Sequence, residues 1–189
     1  MFTFKSVVNQ FITNRPTARI CRNTSRKLAL GFALALAVVV PSALAADKPL
    51  TVMEKVDLPV APARAWETIK DFDGWQYWHP AIASTDIIKG KGNTKGTVRV
   101  LTTGDGAKIT EELLRHDDRS MTYQYKFTDS PLPVANYVST IKIVKTRDGS
   151  TVVWSSNFVA KQGTTDEDAR KVIAGIYTAG LDNLKSKLK

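Results

Sequence analysis

Two side chains in this sequence could transfer a proton or hold the polar group of a ligand, His79 and Glu111. His79 follows Trp75 and Trp78 in an aromatic stretch that ends at Pro80, and an imidazole titrates close to neutral pH. Glu111 lies in a segment with the alternation of a strand. A carboxylate that faces an apolar interior must be paired, hydrated or protonated. Each residue is a candidate general acid–base or polar anchor. The alternatives are a packing role for His79 and a hydrated position at the sheet edge for Glu111.

Other catalytic motifs are absent from the sequence. It contains neither a Gly-x-Ser-x-Gly elbow nor a His-Glu-x-x-His pair. The second histidine, His116, precedes an Asp117-Asp118 turn, where we expect a solvated side chain. The glycines of Gly90–Gly96 join two strand-like segments and do not open a helix, which excludes a dinucleotide loop. We therefore predict no metal and no cofactor.

The distribution of charge excludes a nucleic-acid-binding protein. The chain has 27 Lys+Arg against 18 Asp+Glu. Six of those basic residues and no acidic residue fall within residues 1–45, and removing the six leaves 21 basic residues against 18 acidic ones. The one cysteine, Cys21, also lies in this segment, so the remaining chain can form neither a disulfide nor a thiol nucleophile.

Residues 1–45 have the order of regions found in a secretory signal peptide. Arg26-Lys27 precedes the apolar run Leu28–Val40, Pro41 ends that run, and Ala43-Leu44-Ala45 supplies a small–x–small cleavage pattern. An uncleaved membrane anchor is the alternative, but Pro41 shortens the apolar helix below the length of a membrane span. We expect cleavage after Ala45, a single domain of residues 46–189, and export to the periplasm of a Gram-negative source.

The exported part has the pattern of an α+β domain. Leu50–Leu58 alternates as a strand, Ala61-Pro62 opens a helix, and Asp73–Pro80 forms a second short helix. Turn signals from there to Gln162 delimit six further strands joined by hairpins. Thr164-x-x-Glu167 is a capping box that begins the last helix. We predict an antiparallel sheet of seven strands and a long C-terminal helix.

Loop lengths predict which side chains face the interior. A two-residue turn at Asp105-Gly106 places Val100 opposite Glu111, and leaves Arg99 on the solvent face as a partner of Glu112. Because no second titratable group then faces Glu111, catalysis is the less favoured role.

Two further turns predict an aromatic inner face. A three-residue loop at 117–119 puts Tyr125 beside Glu111, where it could donate a hydrogen bond. A two-residue turn at Asp148-Gly149 pairs Ile143 with Trp154. The polar groups expected among these aromatic rings are Glu111, Ser139 and Ser156.

Four short motifs give the sequence a family resemblance that covers Leu50 to Lys187. They are Ala61-Pro62-Ala63-x-x-Trp66, Asp71-Phe72-Asp73-Gly74, Trp78-His79-Pro80 and Gly175-Ile176-Tyr177-x-x-Gly180-Leu181. The combination resembles the START-like helix-grip superfamily, also called polyketide cyclase/dehydrase-like or SRPBCC. The resemblance implies a curved sheet that grips the last helix around an apolar cavity, with Trp75, Trp78 and His79 towards the cavity mouth. The residues expected to bind a ligand are Trp75, Trp78, His79, Glu111, Tyr123, Tyr125, Tyr137, Trp154, Phe158 and Tyr177.

Two longer stretches, Pro131–Thr140 and Gly175–Leu184, are similar to the MxaD-like periplasmic proteins. That group is associated with methanol oxidation, where a member is thought to assist electron transfer from methanol dehydrogenase to cytochrome c. The resemblance implies a periplasmic dehydrogenase or a cytochrome c as a partner.

Two functions stay open at this point. The first is a non-enzymatic binding or accessory protein whose apolar cavity holds a hydrophobic small molecule or lipid. The second is a cyclase- or dehydratase-like enzyme that uses Glu111 or His79 as general acid–base.

Overall fold

The elements follow one another in the order that the sequence predicts, in a computed structural model that describes residues 48–189. The predicted signal peptide, residues 1–45, lies outside the described residues. The strands are β1 (Leu50–Leu58), β2 (Ile82–Lys89), β3 (Val98–Thr103), β4 (Lys108–Asp117), β5 (Thr122–Asp129), β6 (Val134–Lys145) and β7 (Ser150–Ala160). The helices are α1 (Pro62–Ile69), a 3₁₀ turn (Trp75–Tyr77) and α2 (Asp166–Lys187).

The strands form one antiparallel sheet in the order β1-β7-β6-β5-β4-β3-β2. Helix α2 packs against β1 and β7 and covers the apolar face of the curved sheet, as the predicted helix-grip fold requires. Its buried residues are Ala169, Val172, Ile173, Tyr177, Gly180, Leu181 and Leu184. None of the helices within residues 48–189 is both long and apolar enough to cross a lipid bilayer. The predicted α+β helix-grip fold is confirmed.

The cap of α2 lies one residue later than predicted. Thr165 Oγ1 accepts a hydrogen bond of 3.1 Å from the Asp168 backbone N–H, so Asp168 and not Glu167 is the acidic partner of the cap. The reason is the preceding turn, in which Gly163 has a φ of +85° and the Thr164 N–H donates to the Lys161 carbonyl. Thr164 is thereby used in the turn, and the capping role passes to its neighbour.

The β3–β4 hairpin corrects the predicted inner face. Its loop has three residues, closed by hydrogen bonds of 2.9 Å from Thr103 N to Ala107 O and from Gly106 N to Thr103 O. Gly106 has a φ of +85°, which suits the left-handed position of such a loop. One additional loop residue moves every β3 side chain to the opposite face. Arg99, and not Val100, therefore lies opposite Glu111.

The other two hairpins have the predicted faces but different partners. Tyr125 lies opposite Leu113 and not Glu111. The β4–β5 loop comprises residues 118–121, which shifts the register by three positions, and the bulge after Leu113 in β4 reverses one of them. Trp154 lies opposite Ile141 and not Ile143, since the β6–β7 connection is two residues longer than the predicted turn. A shift of two positions preserves the side-chain alternation, so the aromatic inner face is confirmed.

Candidate functional site

Arg99 and Glu111 form an ion pair in the interior. Their side chains are 0% and 2% exposed, and Arg99 Nη2 lies 2.5 Å from Glu111 Oε2. Arg99 Nε donates to the same oxygen at 2.6 Å, and Nη1 donates to the Phe72 carbonyl. The guanidinium also lies over two rings, 3.9 Å from the centre of Phe72 and 4.0 Å from that of Trp75. The prediction that Glu111 has no charged partner was wrong.

The pair determines the electrostatics of this side of the interior. Burial raises the pKa of Glu111 above its ordinary value, and the charge of Arg99 acts in the opposite direction. The predicted hydrogen bond from Tyr125 is replaced by a different one, in which Tyr125 Oη accepts from Trp154 Nε1 at 3.1 Å. Glu111 is therefore held by Arg99, and it lines the cavity described below.

His79 is buried, with each ring nitrogen facing a backbone group. Nε2 lies 3.1 Å from the Ile176 carbonyl, and Nδ1 accepts from the Ala81 N–H at 3.3 Å, so Nε2 carries the proton. The ring stacks on Trp75, with centres 5.9 Å apart. Burial is the main cause that lowers the pKa of His79 to about 4. The imidazole is thus neutral at physiological pH.

Hydroxyl groups form a second polar cluster below α2. Tyr137 Oη and Tyr177 Oη lie 2.5 Å apart, and Ser139 Oγ lies 3.2 Å from Tyr177 Oη. Trp154 Nε1 donates to Ser139 Oγ at 3.0 Å. Burial raises the pKa of Tyr177 to about 12 and the pKa of Tyr137 well above its ordinary value. These phenols therefore stay protonated and can donate to a ligand.

Between the sheet and α2 lies a small cavity, here called the inner chamber. Its free volume is about 30 Å³, which is enough for about one water molecule. The walls are almost entirely apolar, and the polar groups among them come from Glu111, His79 and the tyrosines. The lining residues are Trp75, His79, Ala81, Ile82, Leu101, Ile109, Glu111, Tyr125, Phe127, Leu132, Tyr137, Trp154, Ile173, Ile176 and Tyr177.

Seven of the ten predicted ligand-binding residues line the inner chamber: Trp75, His79, Glu111, Tyr125, Tyr137, Trp154 and Tyr177. The other three are buried just behind it. Trp78 packs on Trp75 and Trp154 with ring centres 5.0 and 5.6 Å away, so it is part of the core and not of a mouth. Tyr123 Oη accepts from Trp75 Nε1 at 3.2 Å, and Phe158 packs beside Tyr137.

His116 differs from its predicted solvated position. It is half-buried between Trp66 and Tyr123, and its Nε2 lies 3.0 Å from the Lys70 carbonyl. The hydrogen bond joins β4 to the end of α1. His116 does not line the inner chamber. Its neighbours are Trp66, Tyr123 and Lys70, so the two histidines do not belong to one site.

Eight of the fifteen lining residues were not predicted from the sequence, among them Phe127 and Leu132. Arg99, which pairs with the lining residue Glu111, was missed as well. Arg99 was assigned to solvent because Val98 and Val100 on either side offered the more apolar face. Gly106 in the left-handed position was the one signal that could have corrected this, since it is typical of a three-residue loop. Leu132 lies in a loop between two prolines, where alternation gives no information.

The comparison with known families agrees with this geometry. A family model described as "Polyketide cyclase / dehydrase and lipid transport" matches residues 49–189, the whole described domain except its first residue. The chain belongs to the polyketide cyclase/dehydrase and lipid transport family. This family assignment confirms the resemblance given by the sequence motifs and supports binding of a hydrophobic ligand as the general class of function.

Several solved structures share the fold of this family member. XoxI from Bacillus cereus is 31% identical with a TM-score of 0.66, over 74% of this chain and 94% of that one. An uncharacterised protein from Bacillus thuringiensis is 30% identical with a TM-score of 0.66, over 75% and 98% of the two chains. A protein from Thermobifida fusca is 25% identical with a TM-score of 0.65, over 73% and 92%. The similarity extends over nearly the full length of each of these proteins.

Proposed function

We propose that this family member is exported to the periplasm and binds a hydrophobic small molecule or lipid in the inner chamber. The observation that carries the proposal is the position of the chamber: a void remains where apolar walls from the sheet and α2 meet a buried ion pair and neutral hydroxyls. Ligand sites are typically apolar cavities with few convergent polar groups. The family description supports this class of ligand, and the predicted signal peptide supports export.

The polar groups indicate what the ligand carries besides an apolar body. Glu111 can accept a hydrogen bond through the carboxylate that Arg99 orients. Tyr137 and Tyr177 can exchange their mutual bond for one to a ligand. A hydroxyl group of the ligand can donate to Glu111 or bond to the tyrosine hydroxyls, whereas a carbonyl group can only accept from the tyrosines. A pure hydrocarbon would form none of these hydrogen bonds.

The same contacts favour binding over acid–base catalysis. A general base needs a free lone pair directed at the substrate and a pKa near the working pH. Both nitrogens of His79 face backbone groups and its pKa is about 4, while Glu111 is held in an ion pair. A cyclase- or dehydratase-like reaction would require these contacts to rearrange.

An accessory role in periplasmic methanol oxidation is a second candidate. It is supported by the likeness of Pro131–Thr140 to the MxaD-like proteins and by the small free volume of the chamber, about 30 Å³. A protein with a nearly filled interior can act through its outer surface. Its partner would be a periplasmic dehydrogenase or a cytochrome c.

Native mass spectrometry of the protein purified from its own periplasm tests both roles. We expect an additional mass from a bound apolar molecule that is released on unfolding. An empty protein that carries a dehydrogenase or a cytochrome would instead support the accessory role. If the Glu111→Gln variant stays folded but abolishes turnover of a small substrate, the protein is an enzyme and the binding-only function is wrong.

A further inference from the structure

Strands β5 and β6 separate at one end of the sheet. Within residues 48–189 their pairing runs from Thr122 opposite Lys142 to Lys126 opposite Val138. Beyond that point β5 continues along β4, with Phe127 opposite Glu111, whereas β6 continues along β7. The sheet therefore has a gap between two neighbouring strands.

A bulge in β6 is the cause of this gap. The register between β6 and β7 shifts between Ala135 and Val138, and Asn136 has a φ of +53°. A bulge bends its strand and interrupts pairing locally, and asparagine is among the few residues that tolerate a left-handed conformation. The gap thus depends on the backbone conformation at Asn136.

The gap opens into a surface depression of about 530 Å³, here called the outer groove. It is lined by Lys126, Phe127, Thr128, Asp129, Ser130, Val134, Ala135, Asn136, Tyr137, Val138 and Lys161. Phe127 and Tyr137 line both the outer groove and the inner chamber. Their rings stack face to face with centres 3.8 Å apart and planes inclined by 14°. This stacked pair is the partition between the two spaces.

We propose that the ligand enters between β5 and β6 by displacement of Phe127 from Tyr137, and that it is an amphiphile. Its apolar part occupies the enlarged inner chamber, and its polar end remains in the outer groove. The proposal rests on the proposed binding function and adds an entrance and a ligand class to it. A volume of 30 Å³ cannot hold a lipid, so the chamber has to open, and the stacked pair is the wall that it shares with the outer groove.

The two rings differ in freedom, which identifies Phe127 as the movable one. Tyr137 is 2% exposed and its hydroxyl is bonded to Tyr177 on α2. Phe127 is half-buried, its side chain has no polar atom to anchor, and it lies past the last β5–β6 pair. Rotation of Phe127 breaks its stacking contact with Tyr137. The loss of that contact corresponds to about a tenfold change in the rate of opening.

The loop that follows β5 adds a second closing element. Leu132 is buried and lines the inner chamber. Its loop is held by Lys161, whose Nζ donates to the Ser130 carbonyl at 2.7 Å and whose backbone N–H donates to the Pro133 carbonyl at 3.0 Å. Lys161 therefore acts as a latch on the loop that covers the entrance.

The polarity of the outer groove indicates an amphiphile over a purely apolar molecule. Amide, hydroxyl and charged side chains surround the stacked pair on its outer side: Lys126, Thr128, Asp129, Ser130, Asn136 and Lys161. A ligand that spans the partition meets apolar walls at one end and hydrogen-bonding groups at the other.

Stopped-flow fluorescence with N-phenyl-1-naphthylamine tests the entrance. We expect Phe127→Ala to raise both the association and the dissociation rate about tenfold, with a smaller change in Kd. Lys161→Met should raise both rates less, and Lys161→Arg should restore them. The matched control is Leu101→Ala, which enlarges the inner chamber from a position outside the outer groove and should change Kd through the dissociation rate alone.

The outcomes separate the entrance from the function. Equal rates in wild type, Phe127→Ala and Leu101→Ala, with probe bound in each, would overturn the entrance and leave the binding function intact. No probe binding in wild type and in Phe127→Ala would overturn the binding function and the entrance with it. Faster exchange confined to Phe127→Ala and Lys161→Met supports the entrance. An amphiphilic probe, lysophosphatidylcholine, should compete with the fluorophore, and failure to compete would overturn the ligand class.

Discussion

Arg99 and Glu111 lie opposite each other on β3 and β4 and are joined by an ion pair that excludes solvent. The guanidinium also holds the Phe72 carbonyl, so the pair connects the sheet to the segment between α1 and β2. Removing one partner from a buried ion pair leaves a charge without compensation. The pair therefore stabilises the fold and also places a charged group, Glu111, in the wall of the inner chamber.

Arg99→Met should destabilise the protein by about 3 kcal/mol, and by less at mildly acidic pH. Burial already raises the pKa of Glu111, and without Arg99 the carboxyl can escape its unfavourable charge by binding a proton. Urea unfolding at neutral and acidic pH measures both effects. The double variant Arg99→Met with Glu111→Leu should lose less stability than the two single variants together. Strictly additive losses would contradict an energetic coupling between the two side chains.

His79 should make stability depend on pH. Its pKa is 6.5 in the unfolded reference and about 4 in the folded protein. Between these values the unfolded chain binds a proton that the folded chain excludes, so stability falls as the pH falls from 6.5 to about 4. The loss from this group is at most about 3 kcal/mol. Urea unfolding across this range should show a smaller slope for His79→Gln, whose amide can still donate to the Ile176 carbonyl. An unchanged slope would mean that titratable groups other than His79 cause the pH dependence of stability.

Much of the fold could be predicted because it depends on local patterns. Alternation and turn residues predicted Leu50–Leu58 and the six later strands, and Thr–x–x–acid spacing predicted the cap of the last helix within one residue. What failed was loop length. The loop after Thr103 has three residues, and this one residue reversed the faces of β3.

The site was harder to predict for the same physical reason. Tyr125 and Trp154 were assigned to the interior correctly, since a shift of two residues preserves the face. Arg99 was not, because a buried arginine is rare unless it is paired, and the pairing appears only when β3 and β4 are in register. The separation of β5 from β6 depends on the backbone of Asn136, which residue types alone do not reveal.

Gly180 should be required for close packing of α2. A Cβ atom at this position would lie 2.6 Å from His79 Cδ2 and 3.0 Å from a Trp154 ring carbon. We expect Gly180→Ala to destabilise the protein by about 1–3 kcal/mol, although alanine favours helix. The matched control is Gly175→Ala on the same helix, where a Cβ atom meets nothing within 4 Å. This variant should stabilise the protein by up to about 1 kcal/mol. Thermal unfolding distinguishes the two variants. Shifts of Tm with the same sign in both would argue against a steric contact between a Cβ at position 180 and His79 or Trp154.

Tyr137→Phe should loosen the partition between the inner chamber and the outer groove. The change removes the 2.5 Å bond to Tyr177 and costs about 1 kcal/mol, but it keeps the ring that stacks on Phe127. Because the ring loses its anchor on α2, N-phenyl-1-naphthylamine should associate and dissociate faster.

The matched control for this prediction is Tyr123→Phe. Its hydroxyl accepts a buried hydrogen bond from Trp75 Nε1, yet its side chain lines neither space. The two variants should lose similar stability, measured by urea unfolding, while only Tyr137→Phe accelerates exchange in stopped flow. Equal acceleration in both would mean that general loosening of the core, and not the anchor of Tyr137 on α2, controls access to the chamber.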